Sequence, residues 1–187
     1  MALNLNYADY VLRPVEESDK ERILDWRNRD HVRRHMYTNH IISTKEHERW
    51  FAGMMAAPDK EYHIFLYQGR PMGVVGFYDI QVTHRRADWA FYLGESDAPK
   101  GCGPVMEFLA LNHAFDRLRL NKLCCEVLTS NVGVIRLHER FGFIQEGLRK
   151  EHYVIDGEPR DMVELALFEA VWREERDRHQ RNLFAGG

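Results

Sequence analysis

Two stretches decide the fold: Leu93-Gly-Glu-Ser-Asp-Ala-Pro-Lys-Gly-Cys-Gly103 and Asn131-Val-Gly-Val-Ile-Arg-Leu-His-Glu-Arg-Phe-Gly-Phe143. The first joins the end of a predicted apolar strand, Ala87–Leu93, to a predicted helix from about Gly103 to Leu118. That helix is apolar on most faces (Val105, Met106, Phe108, Leu109, Leu111, Phe115), so it is expected to be buried. N–H groups at a helix N-terminus are unpaired and carry partial positive charge, and glycine lets a phosphate approach them. A plain strand-to-helix turn would read the same way, because Gly-x-Gly alone is weak. The loop is not a Walker loop, lacking Gly-Lys-[Ser/Thr], nor a Rossmann fingerprint, lacking the third glycine. In the second stretch Asn131 can cap a helix ending near Phe141-Gly142, where glycine suits the position after the last turn.

Working outward, Tyr10–Val15 is the first predicted strand. Ser18-Asp-Lys-Glu21 reads as a capping box opening a helix to about Asn28, followed by a helical turn over Asp30–Met36. Ser43-Thr-Lys-Glu46 is a second capping box, for a helix with Trp50, Phe51, Met54 and Met55 at helical spacing. His63–Tyr67 and Met72–Ile80 flank a short Gln68-Gly-Arg70 turn. Lys122–Leu128 reads as a buried strand. Glu146–Val154 and Arg160–Phe168 flank Asp156-Gly157, a strong hairpin signal. Trp172–Arg181 is a surface tail or helix. This order predicts a mixed sheet with helices on both sides.

The 187 residues suit one domain spanning 1–187. Hydrophobic residues are 44% and charged residues 29%, which excludes intrinsic disorder. A net charge of −3 gives no case for nucleic acid. No run reaches the ~18 apolar residues of a membrane span, and the first residues do not read as a secretory signal. Three cysteines, Cys102, Cys124 and Cys125, suit a reducing compartment, so a cytoplasmic protein is expected. No Cys-x-x-Cys or His-Glu-x-x-His pattern occurs, and no metal is expected.

Asn131-x-x-Val-Ile-x-Leu-His138-x-x-Phe-Gly-Phe143 resembles the GNAT acyltransferase signature Asn-x-x-Ala-x-x-x-Tyr followed by a Gly-Phe strand entry. The glycine loop lies 28 residues before Asn131, which strengthens the match. The resemblance implies an α/β (α+β) GNAT fold: a mixed, mostly antiparallel seven-stranded sheet, splayed at an acetyl-CoA site. It implies that Lys100, Gly101, Cys102, Gly103 and Pro104 hold the pyrophosphate with Asn131 nearby, and that Phe91, Tyr92 and Leu93 pair with the pantetheine arm. The family loop usually opens on Gln or Arg; here Ala98 stands there, leaving Lys100 as the phosphate-side charge.

Leu12-Arg-Pro14, Trp26-Arg-Asn28, Met36-Tyr37, Ser43-x-x-Glu-His47 and Gly-Leu-Arg149 resemble the RimJ/RimL-type branch. Trp26-Arg-Asn28, Met36-Tyr37 and Leu120-Asn-Lys-Leu123 are similar, more narrowly, to the acetyltransferases of pseudaminic acid biosynthesis. These N-acetylate UDP-4-amino-4,6-dideoxy-N-acetyl-β-L-altrosamine, in a pathway serving flagellin glycosylation. The resemblance then implies a nucleotide-sugar acceptor, with a homodimer left open. A RimJ/RimL-type protein N-terminal acetyltransferase and a non-catalytic acyl-CoA-binding module are the alternatives.

The residues bear on the acceptor independently. Positions 27–40 hold Arg27, Arg29, Arg33 and Arg34 with His31, His35 and His40, against one acid, Asp30. A basic rim suits an anionic acceptor, which arginine grips bidentately, and argues against polyamines. The same charges read as a solvated face balanced by Glu16, Glu17, Asp19, Glu21 and Asp25. Arg27, Asn28, Met36, Tyr37, Asp79 and His84 are the substrate-side candidates. Met36-Tyr37 either stacks on a base or fills a gap, and Trp26 reads as core.

Amine acylation needs a base for the ammonium, N–H groups for the oxyanion and a proton for the departing thiolate. His138 stands at the position of the family's tyrosine donor; a histidine on an apolar helix face is otherwise a satisfied core residue. With an ordinary histidine pKa of ~6.5, a donor here should lose activity at neutral to mildly basic pH unless the site raises it. Asp88 is the candidate base, or else an ion pair with Arg85 or Arg86. A covalent acyl-Cys102 is not expected, since the family transfers the acyl group directly.

Overall fold

The computed structural model describes residues 3–184. Seven strands form one sheet: β1 (Tyr10–Pro14), β2 (Glu61–Tyr67), β3 (Arg70–Gln81), β4 (Arg86–Leu93), β5 (Lys122–Leu128), β6 (Ile144–Ile155) and β7 (Glu158–Phe168). Their order is β1-β2-β3-β4-β5-β7-β6. Every pairing is antiparallel except β4 with β5.

Helices cover both faces. α1 (Lys20–Asn28), α2 (Asp30–Arg33) and α3 (Thr44–Ala56) enclose a smaller core of Ile23, Trp26, Phe51, Met54, Ile64 and Val74. α4 (Cys102–Asn112) and α6 (Glu169–Leu183) lie over the larger core, which includes Phe77, Trp89, Met106, Phe108, Phe115 and Trp172. α5 (Val132–Arg140) closes the site end. The segment expected as a surface tail or helix is the helix α6, anchored by buried Trp172, His179 and Leu183.

Local chemistry explains most boundaries. The Ser43 hydroxyl accepts from the Glu46 N–H at 3.3 Å, as its capping box predicts. Ser18 does not cap α1. The buried Asp19 carboxylate takes the forked guanidinium of Arg13 at 2.6 and 2.7 Å and the Glu16 N–H at 3.0 Å. A carboxylate that satisfies a guanidinium outcompetes a serine hydroxyl, so Glu17–Asp19 is a tight turn and α1 begins at Lys20. The hairpin expectation holds: Asp156 and Gly157 both have positive φ, as a two-residue type I′ turn requires. Beyond Asn112, α4 widens into a π turn over His113–Arg117 instead of continuing as a regular helix to Leu118.

Trp26 is core, as expected. Its indole N–H donates to Glu95 at 2.8 Å, and Arg29 grips the other oxygen of the same carboxylate at 2.9 Å. These bonds tie α1 to the loop after β4.

Candidate active site

β4 and β5 pair only through Arg86↔Lys122, Ala87↔Leu123 and Asp88↔Cys124, and then part. Along Trp89–Leu93 the N–H groups turned away from β3 have no strand partner. Unpaired backbone donors inside a protein call for a ligand or water. A cavity of about 440 Å³ fills this notch, with Phe91, Tyr92 and Leu93 on one wall, Val127, Leu128 and Asn131 opposite, and Gly103 at its end.

Of the glycine loop, only Gly103 lines this cavity. Gly101 precedes α4 with φ of +102°, a conformation L side chains rarely adopt. A Cβ on Gly103 would meet nothing within 4 Å, so the first turn of α4 presents bare backbone to the notch. Pro104, inside that turn, lacks an N–H that would otherwise stay unpaired. Lys100, Gly101, Cys102 and Pro104 build the loop but do not line the cavity, and Lys100 is exposed. Cys102 is fully buried, and burial pushes its thiol pKa up to about 11. It stays protonated, which speaks against an acyl-cysteine. Asn131 lines the cavity, but its side chain makes no capping bond. Only its backbone holds the turn, through N–H to Leu128 O at 2.8 Å.

His138 lines the same cavity, 2% exposed, with Nδ1 2.9 Å from Oε1 of fully buried Glu107. Trp89, Phe91 and Phe143 enclose the ring. Burial alone lowers the imidazole pKa, but the Glu107 carboxylate and the Cys125 thiol more than offset it. The net pKa rises to about 10. A protonated ring spends Nδ1–H on Glu107 and keeps Nε2–H for another acceptor. Nothing in the sequence reading singled out Glu107; the only signal was one carboxylate in an otherwise apolar helix, a residue type seldom buried unless paired.

A second cavity of about 320 Å³ adjoins the first on the α1–α3 side; Met36, Tyr78, Ala90 and Tyr92 line both. Arg27 reaches into it. One guanidinium nitrogen donates to Thr38 O at 3.2 Å, while Nη1 is buried without a partner. Burial lowers the Arg27 pKa.

The rest of the basic segment is more neutral than its sequence suggests. Arg29 pairs with Asp25 and Glu95, and Arg33 with Asp30. Asn28 is a clamp, not a ligand: it donates to Ile42 O at 2.9 Å and accepts from Ile42 N–H at 2.8 Å. Tyr37 lines the notch cavity and stacks on Tyr153, with centroids 4.0 Å apart.

The candidate base Asp88 and the substrate-side candidates Asp79 and His84 lie outside both cavity linings. Asp79 is paired with Arg86 at 2.7 Å. His84 is exposed in the β3–β4 turn, at the end of β4 away from the notch. Asp88 sits where β4 and β5 part, 3.3 Å from Arg86, with a pKa raised by burial against the pull of that arginine. Glu126 instead lines the notch cavity and accepts from Tyr153 OH at 3.2 Å. Strand alternation in Lys122–Leu128 was the available signal, since it puts Glu126 opposite the buried Cys125 and Val127.

The acetyltransferase (GNAT) domain model matches residues 9–144. The chain belongs to the GNAT acetyltransferase family. This GNAT protein is an acetyl-CoA-dependent N-acetyltransferase, and the notch with its bare glycine turn fits that co-substrate. A spermidine N(1)-acetyltransferase of Vibrio cholerae is 22% identical over 166 residues, 88% of this chain and 96% of its own length. The acetyltransferase PseH of Campylobacter jejuni is 23% identical over 153 residues, 82% of this chain and 88% of its own. The Vibrio cholerae spermidine enzyme in complex with CoA and spermine superposes with a TM-score of 0.82, covering 89% of this chain and 99% of its own at 22% identity. At these identities the solved structures establish the fold. The acceptor has to be read from this chain's own residues. No described helix is long and apolar enough to cross a membrane.

Proposed function

We propose that this GNAT enzyme acetylates the 4-amino group of a UDP-linked 4-amino-4,6-dideoxy sugar, the acceptor chemistry of pseudaminic acid biosynthesis. The observation that carries this is Arg27 Nη1, a buried guanidinium nitrogen without a partner in the acceptor-side cavity. A buried guanidinium nitrogen with no carboxylate in contact is costly and calls for an anion such as a diphosphate. A polyamine would bring further positive charge against it. Trp50, Tyr62, Tyr78 and Tyr92 add aromatic faces for a base or deoxysugar to that cavity, whose lining also includes the carboxylate of Glu46.

In this reading the Glu126 carboxylate takes the ammonium proton, directly or through water, in preference to Asp88. The amine attacks the thioester carbonyl, and the oxyanion faces the unpaired N–H groups of Trp89–Leu93. The C–S bond breaks, and His138 gives its Nε2 proton to the thiolate. The nitrogen sheds its second proton to water as the intermediate collapses, and solvent then accepts one proton from Glu126 and returns one to His138, so one proton is released per turnover. Glu107 is a positioning residue that keeps His138 charged.

Thiol release measured with the UDP-4-amino-sugar, spermidine and an N-terminal peptide tests the acceptor. The nucleotide sugar should give the highest kcat/KM. Arg27→Ala should cut that value about ten- to a hundredfold, through the acceptor KM, since hydrogen bonds to charged groups contribute ~1.5–3 kcal/mol. Faster turnover of spermidine, or equal damage to both substrate KM values, overturns the reading.

A further inference from the structure

We propose that Glu61, His63 and His113 form a binding site for a divalent cation of the zinc class, separate from the site of acetyl transfer. Among the described residues they are the one group of three such side chains whose ligand atoms all lie within 4.8 Å of one another. Glu61 and His63 stand two apart on β2 and so share a face of the sheet. His113 opens the π turn at the end of α4, ~16 Å along that helix from the glycine loop at 1.5 Å per residue. Such wide turns are rare and frequent at functional sites. Here the turn is closed by Leu118 N–H to His113 O at 3.0 Å, and it sets the His113 ring over β2.

Each side chain is already placed for ligation. His113 Nε2 and Glu61 Oε2 are 2.9 Å apart. The His63 and His113 rings meet edge to face, centroids 4.4 Å apart. His63 is 5% exposed, yet its Nδ1 is buried without a hydrogen-bond partner. A buried polar atom left unpaired in a native core calls for an explanation, and an unplaced ion supplies one. Two imidazoles and a carboxylate are ligands that Zn²⁺, Co²⁺ and Ni²⁺ accept. Tetrahedral bonds of ~2.0–2.1 Å separate neighbouring ligand atoms by roughly 3.3 Å. The Glu61–His113 pair needs to open only by a few tenths of an ångström, and His63 to turn inward. Glu61 is 43% exposed at its side chain, so the fourth position opens to water. The sequence hides this site, because positions 61, 63 and 113 form no compact motif.

The test uses tag-free full-length protein stripped with a chelator. Titration calorimetry with zinc chloride should show one ion per chain, and Co²⁺ should give the visible bands of a four-coordinate site. Zinc at a hundredfold above its Kd should raise Tm by about 5–10 °C. Glu61→Gln and His113→Gln, both at least partly exposed, should each weaken zinc at least ~10-fold and bleach the Co²⁺ bands, in line with the cost of losing a ligand. His152→Gln, at an exposed histidine on β6, should change neither. Circular dichroism confirms that the variants fold. No saturable site at micromolar zinc, or undiminished binding in Glu61→Gln and His113→Gln, overturns the proposal and moves any ion to other histidines.

Discussion

Replacing Glu107 with glutamine keeps the shape of the side chain and removes the charge that holds a proton on His138. The wild-type imidazole has its pKa raised to about 10. Without the carboxylate only Cys125 opposes burial, and the value should fall to about the ordinary ~6.5. At pH 8.5 the wild-type donor is then about 97% protonated, and the variant donor about 1% or less, from the same two values. If the thiolate takes its proton from His138, kcat at pH 8.5 drops about a hundredfold in Glu107→Gln. Near pH 6 the two proteins converge. The assay is thiol release at saturating acetyl-CoA and acceptor across pH 6–10, with acetyl-CoA affinity measured alongside. A variant with the wild-type alkaline limb refutes the reasoning, because the carboxylate then does not set the donor's charge. Stability gives a second readout. The folded pKa lies above the unfolded one, so the pair's contribution is complete below pH ~6.5 and is lost as pH rises toward about 10. Denaturant titrations should show wild type losing up to about 1.4 kcal/mol per pH unit across that window from this group, and Glu107→Gln lacking that slope.

Gly103→Val should weaken acetyl-CoA at least ~10-fold in calorimetry while leaving Tm unchanged, because its side chain enters open notch space. Gly101→Ala should do the reverse: a positive φ costs ~1–2 kcal/mol for an L side chain, and its Cβ meets Leu5 at 2.9 Å, so Tm should fall by about 2–8 °C. His138→Phe should lose ~10²–10⁴-fold in kcat with acetyl-CoA binding retained; near-normal kcat would make the histidine packing only. His138→Tyr alone should be poorly stable, because it strands Glu107, whereas Glu107→Leu with His138→Tyr should recover both stability and a donor with an ordinary pKa of ~10. Additive effects in that pair of variants would show that the two side chains do not act together.

Much of this fold was legible because its signals are local. The bounds of β5 match Lys122–Leu128, and the Asp156-Gly157 hairpin and the Ser43 cap follow from turn and cap chemistry in a few adjacent residues. The strand–loop–helix placement of the glycine loop and the end of α5 at Phe141-Gly142 were legible too. Long-range pairing was not. Asp19 displaced Ser18 because Arg13 waits on β1, and a capping pattern contains no information about that arginine. The basic rim shrank because Glu95, far along the chain, neutralises Arg29. Glu126 lines the notch cavity and Asp88 does not, because the point where β4 and β5 part depends on pairing across the sheet.

In the proposed mechanism the buried pair also aims the donor. Gly103 and Glu107 are four apart on α4, so they share one helix face. The turn proposed to hold the pyrophosphate therefore presents, one turn later, the carboxylate that grips His138. His138 lies on α5, whose first turn follows Asn131 on the opposite wall of the notch. A single charged hydrogen bond of 2.9 Å thus joins α4 and α5 across the notch. A tyrosine donor carries a suitable pKa by itself and needs no such partner. A histidine needs the charge, and charge in a core of Trp89, Phe91 and Phe143 is tolerated only with its counter-ion in contact. The requirement for protonation and the requirement for alignment are then met by the same two atoms, Nδ1 of His138 and Oε1 of Glu107. Loss of either should loosen the donor and discharge it together.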